Sequence, residues 1–344
     1  MQYSRDARRS LRTVALRVAI AIAAIAAIVW MIHSVGAGAI ARVAVDAVAW
    51  LPLVAALEAA RICFEALATR SLQSLGGAPA VPSGRLLLGH VIANAAALVL
   101  PAGRVAAEAL KAKLFAKTTG WAVGIAVAAQ NQALSLAATA VVVALGGGAA
   151  IALGASAMVV ALSLGVAAVL AILGVLTATV ARGRVLTATA ARLFPSAGEV
   201  AREGAAIAAR APRFPRKALA LHVCGRLMVA HEIGVLMIAS GAKLGPLSAL
   251  AAYALHQTGA SLGDLLPAQL GATEGALTAA ASQLGLSASR ALFIALALHA
   301  VQLVWVAAGA VAAVVTAGRK RAGEAPAGAG VESAVVLRPD SVPR

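Results

Sequence analysis

The groups in this chain with most chemistry to offer are polar side chains standing in otherwise apolar sequence. Arg104, Glu108 and Lys111 follow Pro101 and Gly103, and Thr273 and Glu274 follow Pro267 and Gly271. The interval from proline to glutamate is the same in both places. His90 and His256 precede the two prolines by equal intervals, and Arg61 and Arg226 by nearly equal ones. Pro101, Gly103, Pro267 and Gly271 read as helix breaks, because proline lacks an amide donor and glycine tolerates tight turns. A helix restarted after such a break offers free N–H groups and the positive end of its dipole, which together bind anions. Arg104 adds a planar donor suited to phosphate. The candidate substrate-binding residues on these grounds are Arg104, Glu108, Lys111, Thr273, Glu274, Arg61 and Arg226. Glu108 and Glu274 have two readings: a carboxylate that satisfies a helix N-terminus, or a coupling group whose burial has a functional reason.

Other chemistries find little support. No cluster has metal-ligand spacing, and His231-Glu232 lacks the second histidine of a zinc-protease motif. Neither a metal nor a cofactor is expected. No nucleophile–base pair is visible, so the chain is not expected to be an enzyme. Cys63 and Cys224 sit in apolar runs and read as small core residues with no disulfide. The formal charge of +16 would suggest nucleic acid in a soluble protein. With 3% aromatics and no nucleic-acid module, that partner is excluded here. Cytoplasmic loops of membrane proteins collect Lys and Arg and account for the charge.

The elements that must position these groups follow from composition. Of 344 residues, 61% are hydrophobic and 12% charged. A soluble fold has too little interior for that much Ala, Val, Leu and Ile. The chain reads as an all-α, polytopic membrane bundle. Six full spans are expected, at about Thr13–Ile32, Val48–Leu72, Trp121–Leu145, Ala149–Val180, Ala218–Ser240 and Arg290–Thr316. The first follows a basic N-terminus, residues 1–12, and reads as an uncleaved helix rather than a signal peptide. Gly146-Gly147-Gly148 reads as the turn closing the third span. Residues 13–317 form one transmembrane domain, with a basic linker over 181–217 that carries one surface helix, Ala197–Arg210. Residues 318–344 read as a disordered tail.

Two apolar runs, Leu86–Leu100 and Leu247–Leu266, stop at proline and are followed by short helices. If each run reaches mid-membrane and returns to its own side, nearly every Lys and Arg falls on one face. Arg42, Lys243 and Arg290 fall on the other, and Arg61 and Arg226 lie within spans. The positive-inside rule then puts both termini in the cytoplasm. The runs become two Pro-broken re-entrant hairpins, entering from opposite faces. With the shared spacing they make an inverted repeat, over about 48–145 and 218–316. The alternative is that each proline merely kinks a continuous helix.

Two stretches carry a resemblance: Pro101-Ala102-Gly103-Arg104 with Glu108-Ala109-Leu110-Lys111, and Leu266-Pro267-Ala268-Gln269-Leu270-Gly271-Ala272-Thr273-Glu274-Gly275-Ala276-Leu277. In these the chain resembles the transmembrane-region family of lysylphosphatidylglycerol synthases, also labelled flippase-like, over about residues 10 to 320. The second stretch is the more specific. The first departs from the family's usual Arg-x-Gly-Glu, since Val105-Ala106-Ala107 precedes Glu108. A Glu-Arg pair frequent in the family is replaced by Gln130-Asn131-Gln132, and His299 stands where an arginine is often found, so the resemblance adds His299 to the candidate substrate-binding residues. The resemblance implies translocation, across a bacterial cytoplasmic membrane, of a phosphate-bearing lipid or lipid-linked headgroup. It does not imply lysyl transfer, which in the family needs a soluble domain after the membrane region. The alternative is a non-transport membrane protein supporting envelope lipid or glycan synthesis. The expected partners are membrane lipids with an anionic phosphate headgroup, and beyond them a second copy of the chain or an envelope-synthesis enzyme.

Overall fold

The computed structural model describes residues 25–75, 79–100, 103–183, 198–242, 245–263 and 269–323, and among these the regular structure is entirely helical. In chain order the helices are α1 (Ile25–Val35), α2 (Ala37–Ala47), α3 (Leu51–Leu75), α4 (Ser83–Val99), α5 (Gly103–Thr119), α6 (Trp121–Ala152) and α7 (Ala157–Val180). They continue with α8 (Gly198–Arg210), α9 (Arg216–Ala239), α10 (Pro246–Leu262), α11 (Ala272–Ala279) and α12 (Ala288–Gly323). A 3-10 turn, Val48–Trp50, joins α2 to α3, so Ala37–Ser74 is one nearly continuous rod.

Five stretches are long and apolar enough to cross a bilayer: Ala37–Ser74, Trp121–Ala152, Ala157–Val180, Arg216–Ala239 and Ala288–Ala317. The sixth expected span begins at Thr13, and its first half lies outside the described residues. The helices that flank the two prolines are shorter. α4, α5 and α10 have 17 residues each and α11 has eight. At 1.5 Å per residue, 17 residues cover about 25 Å, less than the hydrocarbon core of roughly 30 Å.

Outward-facing side chains report the solvent. On α7, Met158, Leu162, Ile172, Leu173 and Leu176 are exposed, and on α12 Leu303, Val304, Val311 and Val314 are as well. A water-soluble surface does not carry apolar patches of this extent. Cys63, expected in the core, lies on this outer surface instead.

The core is assembled from reciprocal contacts. α3 packs along α9, α6 packs on α10, and α12 packs on α4. α4 and α5 lie together, as do α10 and α11, and α6 also carries α7 and the linker helix α8. The expected surface helix Ala197–Arg210 is thus present as α8, packed on α6 where Gly204 meets the Ala122 carbonyl, with Ala201, Ala205 and Ala208 buried.

Three boundaries differ from expectation, the first being the second span, expected from Val48 but part of a rod that begins at Ala37. Gly146-Gly147-Gly148 is not a turn, because α6 runs through it to Ala152, and the chain reverses at Leu153–Ser156 around Gly154. Without competing water the backbone keeps its helical bonds through glycine, and Gly146 lets the α10 backbone at Leu250 approach closely. At the other end, α12 continues to Gly323, past the expected start of the tail at 318.

Local sequence explains the two breaks. Pro101 and Pro267 lie outside the described residues, but Leu100 just before the first is extended, with φ −89° and ψ 145°. Proline disfavours helix in the residue before it. Gly103 starts α5 where a Cβ would sit 1.7 Å from the Ala97 carbonyl oxygen, so a side chain there has no room. Gly271 precedes α11 with φ +84°, a conformation glycine adopts without strain.

Candidate functional site

The breaks and the α3–α9 contact surround a polar cavity of about 170 Å³. Its wall includes Arg61 and Glu65 from α3, Arg104, Glu108 and Lys111 from α5, and Arg226 and Glu232 from α9. With Glu58 this makes four basic and four acidic side chains among the described residues. The wall is therefore charge-balanced rather than simply basic.

The balance is held by specific pairs. Arg61 donates from Nε and Nη2 to the two Glu58 oxygens, each at 2.6 Å, and from Nη1 to Glu65 Oε1 at 2.8 Å. Its Nη2 also donates to Asn94 Oδ1 on α4 at 2.7 Å. Arg226 donates from Nη2 to the same Glu65 oxygen at 3.1 Å and to Ser135 Oγ on α6 at 2.8 Å. Glu65 thus bridges the two arginines that occupy matching places before the two prolines. The Arg226 Nε–H, buried, has no hydrogen-bond partner among the described residues. Helix spacing explains the first set, since Glu58, Arg61 and Glu65 recur at positions that share one face.

A second network joins α5 to α6 and α9. Lys111 donates to Glu108, which also accepts from Asn131 Nδ2 at 3.3 Å. The same amide donates to Thr69 at 2.9 Å, and Asn131 Oδ1 lies 3.0 Å from His222 Nε2. His90 Nε2 meets the Thr69 hydroxyl at 3.0 Å. Buried charge in a low-dielectric interior is costly unless paired and hydrogen-bonded, and these contacts supply that.

Thr273 and Glu274 stand apart from the cavity. Both are fully buried. Glu274 Oε2 accepts the Gly271 N–H and the Thr273 hydroxyl, each at 2.9 Å, closing the N-terminus of α11. His299 Nε2 is 3.0 Å from both Glu274 Oε1 and the Thr273 hydroxyl. His299 Nδ1 contacts Gln302 Oε1 at 3.1 Å, and Gln302 reaches the cavity wall. So Arg61, Arg104, Glu108, Lys111 and Arg226 share one cavity, while Thr273, Glu274 and His299 form a cluster beside it, joined through Gln302. Gly103 and Gly271 open the two short helices.

Sequence reasoning passed over Asn94, His222, Ser135 and Tyr253, all on the cavity wall. Two had a usable signal. Asn94 follows His90, and His222 precedes Arg226, by the four-residue step that keeps side chains on one helix face. Ser135 and Tyr253 carry no such mark in an apolar helix. Among the described residues no group of His, Cys, Asp and Glu is arranged to hold a metal ion.

An all-helical bundle with an apolar exterior and ion pairs walled inside is the build of a multi-pass membrane protein. Residues 14–309 match the family described as the lysylphosphatidylglycerol synthase TM region, and the chain belongs to that family. No curated protein and no solved structure matches the chain.

Proposed function

We propose that the protein moves a phosphate-bearing lipid or lipid-linked headgroup across the cytoplasmic membrane of a bacterium, with both of its termini in the cytoplasm. The observation that carries this reading is the charged cavity of about 170 Å³ inside an apolar bundle. Charged residues within a bilayer are costly, and where they line a cavity they mark a path for a polar substrate. Arginine suits phosphate because its fork of donors meets two oxygens at once. Arg226, with an unpartnered Nε–H, and Arg61 are the groups a phosphate engages, in competition with Glu65. The facing carboxylates suit an amine or hydroxyls on the same headgroup.

The reading includes two re-entrant hairpins, α4–α5 and α10–α11, arranged as an inverted repeat. Reciprocal packing supports it: the long helix of each half, α6 or α12, lies on the entering arm of the other half, α10 or α4. Repeats of this kind, with broken helices at the substrate site, are a recurring transporter plan. The family resemblance points the same way.

The test is reconstitution of the purified protein in vesicles holding a headgroup-labelled phosphatidylglycerol. Wild type is expected to redistribute the label between leaflets faster than protein-free vesicles. Arg226→Ala is expected to slow it roughly 10- to 100-fold, the worth of a charge-assisted hydrogen bond. Binding without redistribution favours a non-transport role in envelope synthesis, and chemical change of the lipid favours an enzyme.

A further inference from the structure

Ion pairing does not use up the hydrogen-bonding groups of the cavity wall. Asn94 Nδ2, His222 Nδ1, Arg226 Nε, Glu232 Oε1 and His256 Nδ1 are buried, and none has a hydrogen-bond partner among the described residues. All five residues line the cavity. His222 and Glu232 are 3% exposed and His256 6%. Native proteins carry few such atoms, because each gives up its hydration without return. Their gathering on one wall marks groups that a ligand meets.

A phosphate alone does not account for them. α9 supplies His222, Arg226 and Glu232, and ten residues separate the outer two, about 15 Å along the helix. Asn94 is on α4 and His256 on α10. One phosphate held at Arg226 does not span groups on three helices, so the headgroup continues beyond it.

The open groups are mixed in kind. Asn94 offers N–H donors, because its oxygen already accepts from Arg61. His222 offers an acceptor. The Asn131 amide nitrogen donates to Thr69 and Glu108, so the Asn131 oxygen receives the His222 Nε2–H. Nδ1 of the neutral ring then keeps its lone pair. His256 Nδ1 donates or accepts according to its tautomer. A hydroxyl does both, so several hydroxyls on one headgroup meet the whole set. An ammonium donates only and leaves the Asn94 N–H groups bare. It also brings a charge to a wall whose Glu58, Glu65 and Glu108 are already held by Arg61 and Lys111. Asn94 and the neutral imidazoles offer no charge to balance it.

We propose that the lipid headgroup carries, beyond its phosphate, an uncharged polyhydroxyl group, a sugar or a polyol, and that Asn94, His222 and His256 select it by hydrogen bonds. This rests on the transport reading above. A headgroup entering the cavity displaces water, and affinity is lost unless the ligand replaces the water's hydrogen bonds. A site built around hydroxyls therefore rejects an analogue without them, because its own buried polar groups stay unmet.

Native mass spectrometry of the full-length protein in mild detergent tests this. The probes are equimolar phosphatidylinositol, phosphatidylethanolamine and phosphatidic acid with the same acyl chains. Wild type is expected to retain phosphatidylinositol at least about 10-fold over each of the others, the factor that one satisfied hydrogen bond supplies. His256→Phe is expected to cut that preference, and His256→Gln, which keeps polar atoms there, to hold most of it. Equal retention of phosphatidic acid means that the phosphate alone is read, with water meeting the other groups. Equal or greater retention of phosphatidylethanolamine means that an amine is read. Either result overturns the proposal and leaves the transport reading standing. A preference that His256→Phe and His222→Phe both leave intact overturns the assignment of these residues. Free inositol phosphate, equimolar with the lipid, is expected to leave the lipid adduct in place, and displacement by it overturns a lipid as the source of the headgroup. If wild type retains none of the three lipids, the phosphate reading and this proposal fall together.

Discussion

Arg61 is the residue on which the interior charge depends most. It holds Glu58, Glu65 and Asn94 at once, and it is 8% exposed. Removing one partner of a buried ion pair leaves the other uncompensated, at a cost of about 3–5 kcal/mol. Arg61→Ala is therefore expected to lower the midpoint of thermal unfolding in detergent sharply, followed by circular dichroism. A midpoint equal to wild type means the carboxylates are not held as described. Helix spacing puts Glu58, Arg61 and Glu65 on one face, so this part of the cluster follows from periodicity. It did not reveal that Glu65 also reaches Arg226, since no periodicity links side chains on two helices. His299 was legible as a candidate only through the resemblance, as the residue standing where an arginine is often found. Its contact with Glu274 depends on how α12 packs against α11.

At the scale of elements, the short helix α5 owes its start to Gly103. Any Cβ at that position meets the Ala97 carbonyl. Gly103→Ala must move α4 and α5 apart, and overpacking of this kind costs roughly 1–3 kcal/mol or more. Gly148 makes the contrast, since it lies within α6 and faces open space. Gly148→Ala is expected to stabilise by about 0.5–1 kcal/mol, through helix propensity alone. Thermal unfolding of the two variants side by side checks this, and equal shifts contradict it. Most helices were readable from apolar run length and proline position, and α8 came within a residue of its expected start. The three glycines in α6 misled because glycine usually punctuates sequences. Of the three, Gly146 meets the neighbouring backbone at Leu250, Gly147 meets the Leu164 side chain, and Gly148 faces open space. The rod that begins at Ala37 was missed because its first turns are short of the apolar length that marks a span.

For the whole molecule, the proposal requires the hairpins to enter from opposite faces. The arm that follows Gly103 must return to the cytoplasm and carry Lys117 there, and the turn between α11 and α12 must lie outside. Lys117 and Ser287 are both exposed. After Cys63 and Cys224 are replaced by alanine, Lys117→Cys is expected to be shielded from a membrane-impermeant thiol reagent in intact cells. Ser287→Cys is expected to be labelled. The reverse pattern rejects the arrangement. Composition alone supplied the membrane and the helical class, because 61% hydrophobic residues leave no soluble alternative. It could not supply the charge balance of the cavity, which depends on which helices meet.

The central claim is that the paired arginines of α3 and α9 receive a lipid phosphate. Native mass spectrometry of the protein released from mild detergent addresses it most directly. Wild type is predicted to retain a phosphate-bearing lipid adduct at one copy per chain. Arg226→Ala, folded as judged by circular dichroism, is predicted to lose it. A wild-type protein with no such adduct, or a variant that keeps it undiminished, contradicts the account.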